Sequence, residues 1–341
     1  MSFQNPRFVP DGARLVVPDL RRRRFICGLA SLSALATLPV LAACAASQRA
    51  PVIAIHHWIG YETLYLARDF SRLPPEVELR EGLTAVDSLQ ALETGAADAA
   101  CLTLDEVLHA RATGVALTVV LVFNVSAGAD VVLARAGIEN LADLSGKRIG
   151  VEKGAVGALM LAKMQEEAGL DASALTVIHV PVNLQHAAWE AGEIDAVVTY
   201  EPTATRLMRA GAQRLFDSRQ IPETIFDVLA VRSDRLDRQE NALRRIATSH
   251  FDALEHIRGN RQDALYRIAA RHNVSAEEAN RALAGIVLPT LSANRAFLAS
   301  SGSRLSRAAG VLSAVMTEQG LLANADAGHN LFSDCCLPGS V

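Results

Sequence analysis

Asp130-Val131-Val132-Leu133-Ala134-Arg135 returns in kind as Asp227-Val228-Leu229-Ala230-Val231-Arg232: an acid, four apolar residues and an arginine. Short apolar runs bounded by charge fit strands that are buried on both faces. Between the two copies, residues 138–225 form a compact βα block. A simple explanation is that the chain leaves a first lobe through one copy and re-enters it through the other, so that the two strands form a hinge. Two unrelated buried strands with polar ends would leave the same pattern.

Outward from these copies, short β-branched runs alternate with longer amphipathic ones. Strands are expected at 52–56, 97–103, 117–123, 131–134, 148–151, 177–180, 194–199 and 228–231. Helices are expected at 85–94, 105–112, 158–168, 184–191 and 202–210. Repeated β–α alternation argues for mostly parallel sheets with helices on both faces. After Ser233 the pattern is helical alone, over 243–258, 262–271, 276–284 and 303–318. The expected fold class is therefore α/β: two doubly wound lobes joined by two crossover strands, with a helical C-terminal tail.

Arg21 to Arg24 stand directly before an uncharged stretch, 25–41, that is rich in Leu and Ala and ends in Leu41-Ala42-Ala43-Cys44. A basic region, an apolar region and small residues at the cut describe a secretory signal. The apolar stretch is at the short limit for a membrane span, and Ser, Thr, Gly and Pro39 interrupt it. Its end resembles a bacterial lipobox, which implies lipidation of Cys44, and Arg22-Arg23-Arg24-Phe25 resembles a twin-arginine export signal. The expected location is outside the cytoplasmic membrane, lipid-anchored, by the twin-arginine or the general route. The formal net charge of −4 becomes −8 once the six Arg and two Asp of residues 1–43 are removed. With few aromatics, that body carries no nucleic-acid footprint. Of five cysteines, Cys27 and Cys44 fall in the leader, Cys101 reads as core, and Cys335 and Cys336 are adjacent near the end. No pair has metal-site spacing, so neither a metal nor a cofactor is expected.

Three segments carry a resemblance. They are Trp58-Ile59-Gly60-Tyr61-Glu62-Thr63-Leu64-Tyr65-Leu66-Ala67, Asp143-Leu144-Ser145-Gly146-Lys147-Arg148-Ile149-Gly150-Val151, and Gly192-Glu193-Ile194-Asp195-Ala196-Val197-Val198-Thr199-Tyr200-Glu201-Pro202. Together they resemble the periplasmic substrate-binding proteins of ABC importers, in the nitrate/sulfonate/taurine and thiamine-pyrimidine-precursor group. The resemblance implies a type II periplasmic-binding fold with the ligand between the lobes. It divides the chain into a leader, 1–43, a first lobe, 44–134, a second lobe, 135–227, and a return to the first lobe, 228–341. It also implies an exported solute-binding lipoprotein, monomeric, whose partners are a small-molecule ligand, the membrane through its lipid, and an ABC permease with its ATPase.

Ligands of open α/β sheets sit at the carboxyl ends of strands. After the first expected strand come Trp58, Gly60, Tyr61 and Glu62; Trp58 reads either as a pocket wall or as a core aromatic. Thr103 and Asp105 suit two jobs, capping a helix and lining a cleft. Ser126 and Asp130 fall at the proposed hinge. Gly154 and Ala155 precede a helix whose N–H groups can hold an anion, without the ending of a nucleotide loop. Tyr200 and Glu201 follow a later strand, and Asp227 opens the second hinge copy. Acids dominate this set, against Lys153, Arg135 and Arg232 alone. A strongly anionic ligand would normally recruit arginine or lysine, so a neutral or amine-bearing ligand is expected.

No nucleophile–His–Asp order stands out, and the chain is expected not to be an enzyme. Thiamine-pyrimidine synthases share the implied fold, but the resemblance implies for them a catalytic His, iron and a cysteine-rich loop in the second lobe, where residues 138–225 hold no cysteine. A ligand-sensing lipoprotein uncoupled from transport is the other alternative.

Overall fold

The computed structural model describes residues 50–152, 155–299, 302–322 and 330–339, so the leader, Cys44, Lys153 and Gly154 lie outside the described residues. Two sheets organise the chain. The first takes β1 (Val52–His56), β2 (Glu78–Gly82), β3 (Ala99–Thr103), β4 (Leu117–Ser126), β10 (Phe226–Arg232) and β11 (Ile286–Val287) in the order β11-β4-β10-β3-β1-β2. The second takes β5 (Asp130–Ala134), β6 (Arg148–Val151), β7 (Thr176–His179), β8 (Ala196–Tyr200) and β9 (Gln213–Asp217) in the order β7-β6-β8-β5-β9.

The two orders repeat one plan. In each sheet three parallel strands, β2-β1-β3 or β7-β6-β8, are followed by one antiparallel strand, β10 or β5. Those antiparallel strands are the two copies of the acid–apolar–arginine motif, so the similarity in sequence marks equivalent positions. Asp227 pairs with Thr103 at the end of β3, and Asp130 pairs with Tyr200 at the end of β8. The arginines at the other ends do equivalent work. Arg232 Nη1 donates to the Leu92 carbonyl at 2.8 Å, in the last turn of α2 (Ala85–Glu93). Arg135 bonds the Trp189 carbonyl in the last turn of α5 (Val182–Glu190) and stacks 4.3 Å from the Trp189 ring. Cations suit helix C-termini, whose last carbonyls lack intrahelical partners. The crossings between sheets lie just ahead of the two strands, at 127–129 and 218–225, rather than within them. The stretch 131–134, expected with the first lobe, is a strand of the second sheet. Ser126 and Ser218 tie the crossings together with a 2.7 Å hydroxyl bond, and Ser218 Oγ also accepts from the Gly128 N–H.

β1, β3, β4 and β5 are buried along their whole length, as strands covered on both faces must be. Helices α1 (Glu62–Asp69), α3 (Leu104–Ala112), α4 (Ala155–Ala168) and α6 (Thr203–Arg209) join α2 and α5 as connections of the βα units. The tail forms α7 (Leu236–Gly259), α8 (Arg261–His272), α9 (Ala276–Ala284), α10 (Leu291–Leu298) and α11 (Arg304–Glu318). Leu243, Ile246, Ala247, Ala253, Leu254 and Ile257 make the buried stripe of α7, which packs on α1. Among the described residues, no helix is long and apolar enough to cross a membrane.

Strands β2, β9 and β11 escaped the sequence reading. β2 and β9 are edge strands carrying charge, Glu78-Leu-Arg-Glu-Gly and Gln213-Arg-Leu-Phe-Asp, so they show no apolar run. Helix α1, six of whose eight residues are buried, also escaped.

Candidate functional site

The cleft lies where the carboxyl ends of parallel strands from both sheets converge. His56 ends β1 and Trp58 follows it; Thr103 ends β3 and Glu106 stands in the first turn of α3; Asp227 comes from β10. From the other sheet come Asp130 on β5, Glu152 directly after β6, and Thr199 and Tyr200 at the end of β8. Val156, Val182 and Ile225 supply apolar wall. About 40 Å³ of the cleft is reachable by the centre of a water molecule, and the space between its atoms, open mouth included, is about 580 Å³. At roughly 10–15 Å³ of such reachable volume per water, that is room for a few waters or a compact head group.

Trp58 and Tyr200 meet edge to face across the cleft, ring centroids 5.4 Å apart. Gly60 makes this wall possible: a Cβ there would come within 2.0 Å of Asn124 Nδ2 and 2.4 Å of Trp58 Nε1. Gly157 does the same opposite, since a Cβ would lie 2.8 Å from the Glu152 carbonyl and from Val151 Cγ1. Neither position tolerates a side chain without displacing the wall.

Electrostatically the cleft is a set of carboxyls out of water. Burial pushes Asp130 up to about 7, and the Asp105 charge adds to it. Burial also pushes Glu152 up to about 7, with Asp87 adding. Asp227, 2 % exposed, is raised well above the carboxylate range by burial and then by Asp130, although Tyr61 Oη donates to its Oδ1 at 2.9 Å. Glu106 is raised by burial, then by Asp105, while its Oε2 accepts from the Thr103 N–H at 2.8 Å. Desolvation penalises the charged form, and neighbouring carboxylates penalise it again. His56 moves the other way, lowered to about 4 by burial and by His57, so it is neutral at pH 7. Asp130 Oδ2, Asp227 Oδ2, Glu152 Oε1 and Thr199 Oγ1 are buried without a protein partner. Buried polar atoms normally find one. Among the described residues, no lysine or arginine lines the cleft.

Of the residues singled out from sequence, Trp58, Thr103, Asp130, Tyr200 and Asp227 line the cleft. Gly60 and Tyr61 support it from behind, through Trp58 and Asp227. Asp105, with no exposed surface, lies beneath it; burial raises it to about 6. Ser126 clasps the crossings, and Ala155 is the first residue of α4. Glu62 is elsewhere: His272 Nε2 and Arg271 Nε hold it at 2.9 and 3.1 Å, and Arg271 also donates to Asp69. Its acid serves to fasten α1 to α8. Glu201 lines a separate hollow beside the 127–129 crossing, with Arg214, Arg219 and Arg281, and accepts from the Thr205 N–H. The sequence reading missed Glu106, Glu152 and Thr199. Glu106 was hidden as the fourth residue of a capping sequence, whereas Glu152 was findable, since it directly follows a parallel strand.

A family model described as NMT1/THI5 like matches residues 76–264. The aliphatic sulphonate-binding protein SsuA of Escherichia coli superposes with a TM-score of 0.68 at 18 % identity, covering 84 % of this chain and 92 % of that one. A ligand-binding component of an ABC-type import system from Staphylococcus aureus, solved with zinc bound, gives 0.71 at 13 %, covering 84 % and 97 %. The desulfurization enzyme DszB gives 0.61 at 16 %, covering 83 % and 96 %. Among curated protein sequences, none matches. At such identities the structures share a fold with this chain, the periplasmic-binding fold.

Proposed function

The chain belongs to the NMT1/THI5-like family, and from that premise we propose that it is an exported, solute-binding lipoprotein that passes a small molecule to an ABC-type importer. The observation that carries this reading is the cleft itself. Residues from two sheets, joined by two short crossings clasped at Ser126 and Ser218, converge on one small cavity with buried polar atoms aimed into it. A site built half on each lobe is completed by closure and dismantled by opening, which is how a clamp takes up and releases cargo. We read the lobes as one hinged pair, with bending at 127–129 and 218–225. We read the cleft as binding without chemistry, because its described lining holds neither serine nor cysteine and Cys101 is sealed in β3.

The leader supports the location: four arginines, an apolar stretch and Leu41-Ala42-Ala43-Cys44. With lipid on Cys44, the body would stay at the outer face of the cytoplasmic membrane, beside its permease. The test is expression of the whole chain in a bacterium, followed by fractionation. The native chain is expected in the membrane fraction, shortened by the 43-residue leader. Cys44→Ala is expected to abolish lipid labelling and to leave the leader uncut. Unchanged lipid labelling in that variant, or an uncut cytoplasmic native chain, would refute the anchoring.

A further inference from the structure

We propose that the solute is a small organic cation whose positive group sits between Glu106 and Glu152, carboxyls contributed from opposite sides of the cleft, so that the ligand's charge permits the lobes to shut. This inference rests on the solute-binding reading and adds the chemical class of the cargo.

Glu106 stands on α3, in the unit that follows β3 of the first sheet, and Glu152 follows β6 of the second; both line one cavity. Thr103 N–H takes one oxygen of Glu106, whereas Glu152 Oε1 has no protein partner. Deeper in, Asp130 Oδ2 and Asp227 Oδ2 are likewise buried and unpartnered. The groups facing these four are acidic or neutral: Asp105 and Thr103 beside Glu106, Asp87 and Tyr200 near Glu152, Ser126 and Asp105 near Asp130, and Tyr61 with Trp58 at Asp227. Bringing two carboxylates together in a site with little water is unfavourable unless a proton or another cation comes between them. An anionic solute would meet the same repulsion with no arginine or lysine in the described lining to offset it. The edge-to-face pair of Trp58 and Tyr200 favours an organic cation, since ammonium and guanidinium groups are attracted to aromatic faces. Among the described residues, no three His, Cys, Asp or Glu side chains converge as a metal set. The reachable volume of about 40 Å³ fits a compact head group.

The test is thermal unfolding and calorimetric titration of the chain from Cys44 onward with methylguanidine, methylammonium, agmatine, ethanesulfonate and nitrate. Buffers at pH 5.5 and 8.0 would be used, because a cation needs the carboxylate form. For a single carboxyl near 7, as Asp130 and Glu152 are, the ionised fraction rises about thirtyfold between those pH values. The expected result is that at least one cation binds, about thirtyfold more tightly at pH 8.0, with proton release. Glu152→Gln is expected to weaken that binding at least tenfold at pH 8.0 and to flatten its pH dependence. This variant removes a desolvated charge, so its own unfolding midpoint should equal or exceed the native one, which separates lost binding from lost folding. Binding of ethanesulfonate or nitrate, with no cation bound, would overturn the inference and leave the solute-binding reading standing. Cation binding that is equal at both pH values, or indifferent to Glu152→Gln, would overturn it too. No shift with any of the five would overturn the inference and count against the solute-binding reading as well.

Discussion

Asp130→Asn isolates one buried carboxyl and needs no ligand. The native side chain is 4 % exposed, and its carboxyl is raised from an ordinary 3.8 to about 7, chiefly by burial. Because the folded chain holds this proton more tightly than the unfolded one, Asp130 costs no stability below about pH 4. The loss accumulates as pH rises from there to about 7, at close to 1.4 kcal/mol per pH unit in mid-window, and is constant above. Integrated from pH 4.5 to 7.5, the two values give a loss of about 3 kcal/mol attributable to Asp130. Asparagine keeps the shape and removes the titration, so any fixed cost or gain of the amide cancels when the same pair is compared at two pH values. The assay is urea unfolding of both chains across that range. The native chain should lose about 3 kcal/mol relative to the variant as pH rises. Relief of Asp227, which Asp130 also raises, acts in the same direction. Parallel stability profiles would refute the claim that Asp130 is desolvated in the ligand-free protein.

Two further substitutions test the assignment of residues away from the cleft. Glu62→Gln removes the acid from a buried group in which His272 and Arg271 bond it; a loss of about 3 kcal/mol is expected in thermal unfolding, with binding of the cleft probes unchanged. A changed affinity would return Glu62 to the cleft. Asn294→Ala should cost about 2–4 kcal/mol in urea unfolding, because Asn294 both accepts from the Val122 N–H at 2.7 Å and donates to the Val122 carbonyl at 3.0 Å, and its removal leaves two buried backbone groups unpaired. A cost below 1 kcal/mol would mean that water reaches that edge.

The Asn294 contact shows how β4, ten buried residues long, is finished without a full neighbour on its outer edge. The described tail meets it at Val119, where the Leu331 carbonyl accepts and the Ser333 N–H donates; Asn294 serves Val122; β11 pairs with Val125 and Ser126. Nothing local to any of these segments announces the partnership, because each partner lies more than 150 residues away along the chain. Edges of sheets must be covered somehow, but which segment covers them is a property of the packed molecule.

The sequence by itself determined the elements whose signals are local. Apolar runs bounded by charge gave the buried strands, and repetition of the acid–apolar–arginine motif marked two strands that turned out to be equivalent in the two sheets. Part of the cleft lining was also legible, since Trp58, Thr103, Asp130, Tyr200 and Asp227 follow or face strand ends. Only the tertiary structure decided which acids share the cleft. Glu62 and Glu152 each come soon after a strand, yet one is fastened to Arg271 and His272 on a helix about 210 residues later, and the other is left beside Glu106 with a free oxygen. A carboxyl's role depends on what is packed around it, because burial and neighbouring charge set both its partner and its proton affinity, and those neighbours are assembled only when distant segments meet.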